Sequence, residues 1–193
     1  MKRLAFLAIL LSAAPASADI LSIYGRLHAG GSFGNGIGGD QKEDDFFSRS
    51  RGFAYGFLVG AKVLILEGWI EHDRFTSFSA NKGTWTEFML GGGVGVPLVV
   101  IPFDIGVKFG LGYGLGTGAD VSSTSDNTFS DKGIVAEIAG ELKYKFNPIV
   151  SMGLSVPFRF CYLFKSDPPA GQSDKYTSFS FMGLVFLQLS LGI

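Results

Sequence analysis

The sequence lacks most features that stabilise or identify a soluble secreted protein. Of its 193 residues, one is cysteine, two are histidine and 17% are charged. The single cysteine, Cys161, cannot form an internal disulfide, which excludes a disulfide-stabilised scaffold. The net charge of −1 and the lack of a dense basic run give no reason to expect nucleic acid as a partner.

Long hydrophobic runs are also missing. The longest run without charged residues, Ser, Thr, Asn or Gln, residues 88–103, is shorter than the roughly 18 to 20 residues that a membrane-spanning helix needs. It also contains four glycines and two prolines, which oppose a helix. Beyond the N-terminal segment, no transmembrane helix is therefore predicted.

The N-terminal segment has the organisation of a secretory signal peptide. Basic residues stand at positions 2 and 3, an apolar run follows over 4–11, and small residues occupy 16–18. A transmembrane anchor is the alternative, but the apolar run is too short to cross a bilayer. We therefore predict a signal peptide over 1–18 and one mature domain over 19–193.

The abundant residues are glycine and phenylalanine, with 28 and 19 copies, and they fall into a period-two pattern. From Phe103 to Leu115 every odd position is apolar or aromatic, whereas the even positions are Asp104, Lys108 and glycines. Alternation of this length indicates a β-strand, because a helix would scatter these residues around its circumference. The same pattern recurs and predicts eight strands, at 20–30, 52–63, 64–74, 84–96, 103–115, 134–146, 150–164 and 178–193.

One of these segments also fits a helix. Ile134, Ile138 and Leu142 recur every four residues, as on one face of a helix. As a strand, however, the segment places all its charged residues on one face and none on the other. The alternation in the rest of the chain favours the strand.

The connections between the predicted strands alternate in length. Four long ones, rich in Gly, Ser, Asp, Asn and Lys, alternate with three short ones at 63–64, 98–101 and 146–148. Short turns on one side and long loops on the other are typical of transmembrane barrels. The predicted fold is all-β, an eight-stranded antiparallel up-and-down transmembrane β-barrel. Its long loops are predicted at 31–51, 76–83, 117–132 and 165–175.

The face assignment places the uncharged residues outward, against lipid, and the charged residues in the lumen. An inside-out soluble barrel, as in lipocalins, is the alternative, but its cavity could not hold so many phenylalanines and a ligand as well. Positive and negative lumen charges nearly balance, which predicts a paired plug or, alternatively, the lining of a pore. This lumen charge network comprises Arg26, Lys62, Glu67, Glu71, Asp73, Glu87, Asp104, Lys108, Glu137, Glu141, Lys143, Lys145 and Arg159.

On this pattern the mature chain resembles the small eight-stranded outer-membrane barrels of the OmpA/OmpX type. The resemblance implies a monomer in the outer membrane of a Gram-negative-type bacterium, surrounded by outer-membrane lipid and inserted by the barrel-assembly machinery. Members of that group typically end in an aromatic residue, whereas this chain ends in Leu191-Gly192-Ile193. This departure from an aromatic C-terminal residue bears on how the assembly machinery recognises the chain.

Few residues suggest a catalytic or ligand-binding role. His28 shares the predicted inner face with Tyr24 near the outer end, and a polar filler is favoured there over a catalytic base. His72 and Arg74 face outward at the outer rim, where they could contact lipid head groups. The acidic run at 40–45 lacks the spacing of a calcium loop. No catalytic residue, metal site or cofactor is predicted.

The predicted function is that of a structural or adhesion-like surface protein, which meets an external ligand or surface through its long loops. A narrow ion or small-solute pore is the alternative. A lipid-modifying barrel enzyme is a third hypothesis, which would require a serine within hydrogen-bond reach of His28.

Overall fold

The chain forms a closed antiparallel β-barrel in which each strand pairs with the next and β1 pairs with β8. The computed structural model describes residues 21–37, 51–77, 82–98, 101–120, 127–165 and 175–192. The strands are β1 Leu21–Ile37, β2 Gly52–Val63, β3 Leu66–Ser77, β4 Lys82–Pro97, β5 Phe103–Asp120, β6 Asn127–Lys145, β7 Val150–Lys165 and β8 Lys175–Gly192. The predicted fold class, an eight-stranded up-and-down transmembrane barrel, is confirmed.

None of the described residues forms a helix that is long and apolar enough to cross a membrane.

Burial follows the period-two pattern of the sequence. In β2 and β7 the residues alternate between the filled interior and the exposed outer surface. The outer surface is a continuous apolar belt, on which Leu111 is 65% exposed and Ile138 54%. Apolar area of this extent is unfavourable in water and suited to hydrocarbon, because roughly 25 cal/mol is gained for each Å² removed from water. The belt is therefore the lipid-facing surface of the barrel.

The strands are strongly staggered. Following the cross-strand pairings once around the barrel from Ser22 leads back to Gly34 of the same strand, an offset of 12 residues. Stagger and strand tilt are linked, so the strands are steeply inclined to the barrel axis. Rows of paired residues consequently climb from the short-turn end, here called the lower end, towards the long-connection end, called the upper end.

At the upper end the strands extend further than predicted. The segment 31–37 continues β1 instead of opening a loop, and the predicted loop 117–132 is reduced by the ends of β5 and β6. Ser77 and Lys82 likewise belong to β3 and β4, within the predicted loop 76–83. These polar, glycine-rich ends lack apolar alternation, but their backbone groups still find partners on the neighbouring strand. The predicted loop 165–175 is flanked by the strand ends Lys165 and Lys175, and residues 38–50 and 166–174 lie outside the described residues.

At the lower end one turn lies one residue further along than predicted. The turn consists of Leu64 and Ile65, since Val63 pairs with Leu66, and is not centred on Val63-Leu64. Leu64 has a φ of 56°, which a branched side chain rarely adopts. No Gly, Asn or Asp marks this turn, so its position could not be predicted from the usual turn residues.

Candidate functional site: the closed lumen

Arg159 is the centre of the barrel interior. Its side chain is 0% exposed and meets four carboxylates from three other strands. The Nη2 atom lies 2.8 Å from Glu71 Oε1 and 3.2 Å from Glu87 Oε1. The Nη1 atom donates to Asp73 Oδ2 at 3.0 Å, and Nε donates to Glu137 Oε2 at 2.9 Å. The planar guanidinium suits this role, because its five N–H groups point in fixed directions towards several acceptors.

His28 completes this group, which we call the central ion cluster (His28, Glu71, Asp73, Glu87, Glu137 and Arg159). Its Nε2 atom lies 2.6 Å from Asp73 Oδ1 and 3.6 Å from Glu71 Oε1, and its side chain is 1% exposed. The expectation that His28 lies near the outer end is wrong, because β1 continues to Ile37 and leaves His28 near mid-strand. Carboxylates engage Nε2 in place of the serine that a catalytic role requires.

The central ion cluster contains two groups of potential metal ligands. The ligand atoms of His28, Glu71 and Asp73 lie within 4.8 Å of one another, as do those of Glu71, Glu87 and Glu137. Arg159, however, pairs with each of these four carboxylates. A guanidinium already supplies the positive charge that a cation would bring, so the geometry favours an internal ion-pair network over a metal centre.

A second group of charges lies below the first, on the lower half of the strands. Arg26 bonds Glu141 Oε1 at 2.7 Å and Gln188 Oε1 at 2.9 Å, and its guanidinium carbon lies 4.0 Å from the centre of the Phe186 ring. The aromatic face and two acceptors together compensate this buried cation.

Lys108 and Glu67 form the other half of this lower cluster. Lys108 Nζ lies 3.6 Å from Glu67 Oε1 and 3.5 Å from the centre of the Trp69 ring. The Tyr24 hydroxyl donates a hydrogen bond to Glu67. Neither Trp69 nor Tyr24 belongs to the predicted lumen network, although the inward parity of both positions could have identified them.

The remaining predicted lumen charges lie near the lower mouth of the barrel. Lys145 is 52% exposed and pairs with Asp104 at 2.6 Å, while Lys62 Nζ donates to the Gly93 carbonyl at 3.4 Å. Lys143 is half-buried on the same inward face. These residues meet solvent at the rim and do not enter the central ion cluster.

Above the central ion cluster lies an apolar layer that the sequence analysis missed. On β3, β4 and β7, an apolar residue lies inward two positions nearer the upper end than the charged residue of the central ion cluster. These apolar residues are Phe75 above Asp73, Trp85 above Glu87, and Cys161 above Arg159. All members are buried: Phe75, Trp85, Val135, Cys161 and Leu163. Trp85 Nε1 also donates to Glu87 Oε2 at 3.0 Å, which ties this layer to the ions beneath it.

Within the described part of the chain, these layers fill the middle of the barrel with buried side chains. The cavity between the two ion clusters has a volume of about 10 Å³, which is room for about one water molecule. Two tryptophans occupy space that glycines on β5 leave free, because a Cβ atom at Gly110 would overlap Trp69 and one at Gly114 would overlap Trp85. The candidate site is therefore a filled lumen, with ions below and apolar side chains above.

The two predicted head-group residues lie on the outer surface of β3. His72 Nδ1 is 2.7 Å from Thr86 Oγ1, and its ring lies 5.6 Å from that of Phe57. Arg74 is exposed on the same outward face, two residues nearer the upper end.

Comparisons with known proteins support the fold. No protein-family model matches the chain, and no curated protein matches its sequence. Among solved structures, the chain is similar to Neisserial surface protein A, with a TM-score of 0.58, 12% identity, and 86% of this chain and 96% of that chain covered. It is also similar to the N-terminal β-barrel domain of Pseudomonas aeruginosa OprF, with a TM-score of 0.53, 14% identity, and coverage of 88% and 97%. At these identities the likeness establishes the fold of small outer-membrane barrels.

Proposed function

We propose that this protein is an outer-membrane barrel with a closed lumen that acts at the cell surface through its long upper connections. The location is supported by the apolar belt and by the fold shared with outer-membrane barrels. The barrel serves as a rigid anchor, and the segments between its upper strand ends supply the contacts.

The closed lumen is the observation that carries this proposal. A conducting pore needs a continuous hydrated path, whereas Phe75, Trp85 and Leu163 fill the interior above the ions. Below them, Arg159 is fixed by four carboxylates, and moving it would leave buried charges without partners. The pore alternative would require both layers to rearrange.

Conductance in a planar bilayer tests the closed lumen. We expect the refolded mature chain, residues 19–193, to be silent, and the variants Glu141→Ala and Lys143→Ala to be silent as well. A Phe75→Ala/Trp85→Ala variant removes two large side chains from the apolar layer and serves as the control for a widened lumen. Steady openings of the wild-type chain that change with Glu141→Ala or Lys143→Ala would favour the pore.

The same proposal predicts that surface contacts depend on the long connections. Cells displaying the wild-type chain should adhere to cultured epithelial cells more than cells displaying a variant in which residues 40–45 and 166–174 are replaced by Gly and Ser at the same length. A barrel with an intact apolar layer keeps its fold in this variant, so heat-modifiable migration on gels provides the control for insertion. Equal adhesion by both chains would argue against these segments as the contact surface.

A further inference from the structure

Exposed apolar side chains cover the three turns at the lower end of the barrel. They are 49 to 65% exposed, and none of the described residues in these turns is charged. We call this set the lower apolar rim: Leu64, Ile65, Ile101, Phe146 and Ile149. Turns that face water are normally rich in Gly, Asn, Asp and Ser, and an exposed apolar patch marks a contact surface. The lower apolar rim is therefore a candidate contact surface.

The backbone of Leu64 adds a second observation. Its φ of 56° lies in the left-handed region, which glycine adopts freely and a branched side chain does not. Backbone strain of this kind is concentrated at sites where function requires it. The leucine side chain is mostly exposed and so packs little against its own barrel. It is therefore better suited to contact with a partner than to stabilising its turn.

The lumen below the central ion cluster has an excess of positive charge. Each of its three carboxylates has a cation partner: Arg26–Glu141, Lys108–Glu67 and Lys145–Asp104. Two further lysines, Lys62 and Lys143, have no ion pair with a carboxylate in the described part of the chain. Lys62 Nζ donates to the Gly93 carbonyl at 3.4 Å. Five cations and three carboxylates give this part of the lumen a net charge of +2.

These two lysines lie on opposite walls of the lower mouth. β2 and β6 are four strands apart in a ring of eight, so Lys62 and Lys143 project inward from opposite sides. On the wall between them, a Cβ atom added at the inward position Gly95 would meet one atom within 4 Å, at 3.9 Å. The mouth therefore has space beside the lysines, and partly desolvated cations are stabilised by an anionic partner.

Charge and position together select the occupant of this surface. Two lower ends placed against each other would bring their lysines together, which opposes a second copy of this chain. Lipid head groups lie beside the barrel, whereas Lys62 and Lys143 face its lumen. A chain segment that approaches from the aqueous side can place carboxylates in the mouth and apolar side chains on the lower apolar rim.

We infer that the lower end of the barrel is a docking surface for an acidic, amphipathic segment of a periplasmic protein. This inference rests on the proposed outer-membrane location, in which the short turns face the periplasm. Carboxylates of the segment pair with Lys62 and Lys143, and its apolar side chains pack against Leu64 and the rest of the lower apolar rim. The barrel then has a second contact surface, opposite its long connections.

Peptide binding to the refolded mature chain in nanodiscs of zwitterionic lipid tests this inference. The probe is a short fluorescent amphipathic peptide of Leu and Glu, and its binding is measured by anisotropy. The two companion peptides have Lys in place of Glu and Ser in place of Leu. We expect the Leu/Glu peptide to bind most tightly.

Two variants separate the contributions of charge and apolar contact. Lys62→Gln/Lys143→Gln should weaken binding of the Leu/Glu peptide roughly tenfold, as for the loss of charged hydrogen bonds. Leu64→Asn/Ile149→Thr should weaken it by a similar factor, because apolar area is no longer buried. Lys82→Gln/Lys132→Gln is the matched control, since it removes the same charge from exposed outward positions at the upper end. Heat-modifiable migration on gels verifies that each variant is folded.

Several results would overturn the inference. One is an equal loss of binding in the matched control and in Lys62→Gln/Lys143→Gln. Another is unchanged binding in Leu64→Asn/Ile149→Thr, which would mean that the lower apolar rim is covered by lipid. Equal binding of either companion peptide, or of the Leu/Glu peptide to nanodiscs without protein, would also refute it. A wild-type chain that fails to insert into bilayers would instead contradict the proposed location, which separates the two failures.

Discussion

At the scale of single residues, Arg159 shows how the barrel keeps ions in its interior. Four carboxylates share one guanidinium, and removal of the guanidinium would leave several buried carboxylates without a compensating charge. Sequence parity could place Arg159 and Glu137 inside the barrel. It could not show that Glu71, Asp73 and Glu87 converge on the same arginine, because that depends on how far each strand is staggered. The predicted near-balance of positive and negative lumen charges therefore does not mean that each cation pairs with one carboxylate.

Gly114 provides a prediction at this scale. A Cβ atom there would overlap the indole of Trp85, whereas a Cβ atom at Gly25 would meet nothing within 4 Å. We expect Gly114→Ala to lower the free energy of unfolding by about 1 to 3 kcal/mol, the usual effect of overpacking. Gly25→Ala should not destabilise the barrel and could add about 0.4 to 1 kcal/mol by restricting the unfolded chain. Denaturant titration in lipid vesicles measures both, and equal effects would refute the close approach of Trp85.

At the scale of strands and turns, the lower hairpin between β2 and β3 is under local strain. A two-residue hairpin with positive φ at its first position normally has glycine there, but this chain has Leu64. The turn was hard to predict because the alternation of β2 runs into that of β3 without a Gly, Asn or Asp. The upper strand ends were missed for a different reason. Residues 31–37 pair along their backbone, although their side chains lack an apolar column.

We expect Leu64→Gly to raise the free energy of unfolding by about 1 kcal/mol, since glycine adopts this conformation without steric cost. Ile65→Gly is the paired control, because Ile65 lacks a positive φ. It should lower stability by about 0.5 to 1 kcal/mol through the greater freedom of the unfolded chain. Urea unfolding in vesicles compares the two, and a loss of stability with Leu64→Gly would argue against a strained turn.

At the scale of the whole molecule, the two faces of the barrel were predictable because a period of two assigns every side chain in a strand at once. One odd position such as Leu111 fixes the orientation of all of β5. The packing of side chains in the lumen was less predictable. Phe75 and Leu163 occupy inward positions, but only their convergence across the barrel turns them into an apolar layer.

The face assignment predicts the effect of charges placed in the belt. Leu111→Arg or Ile138→Arg puts a cation near the middle of the apolar surface and should cost about 2 to 4 kcal/mol of unfolding free energy. Thr84→Arg introduces the same side chain on the outward face near the upper rim, where the cost should be about 0 to 1 kcal/mol. Denaturant titration in vesicles distinguishes them. If neither belt substitution lowered stability, the two faces would be reversed.

The seam between β1 and β8 has a consequence for how the protein acquires its structure. It joins residues 22–37 to residues 177–192, which are far apart along the chain. Contacts of such high contact order form late and slowly, because loop-closure entropy must be overcome before they contribute. Until that last pairing, both edge strands expose unpaired backbone groups that could join another chain. Barrel closure is therefore the kinetically vulnerable step, at which a helper that shields an open edge would have its largest effect on yield.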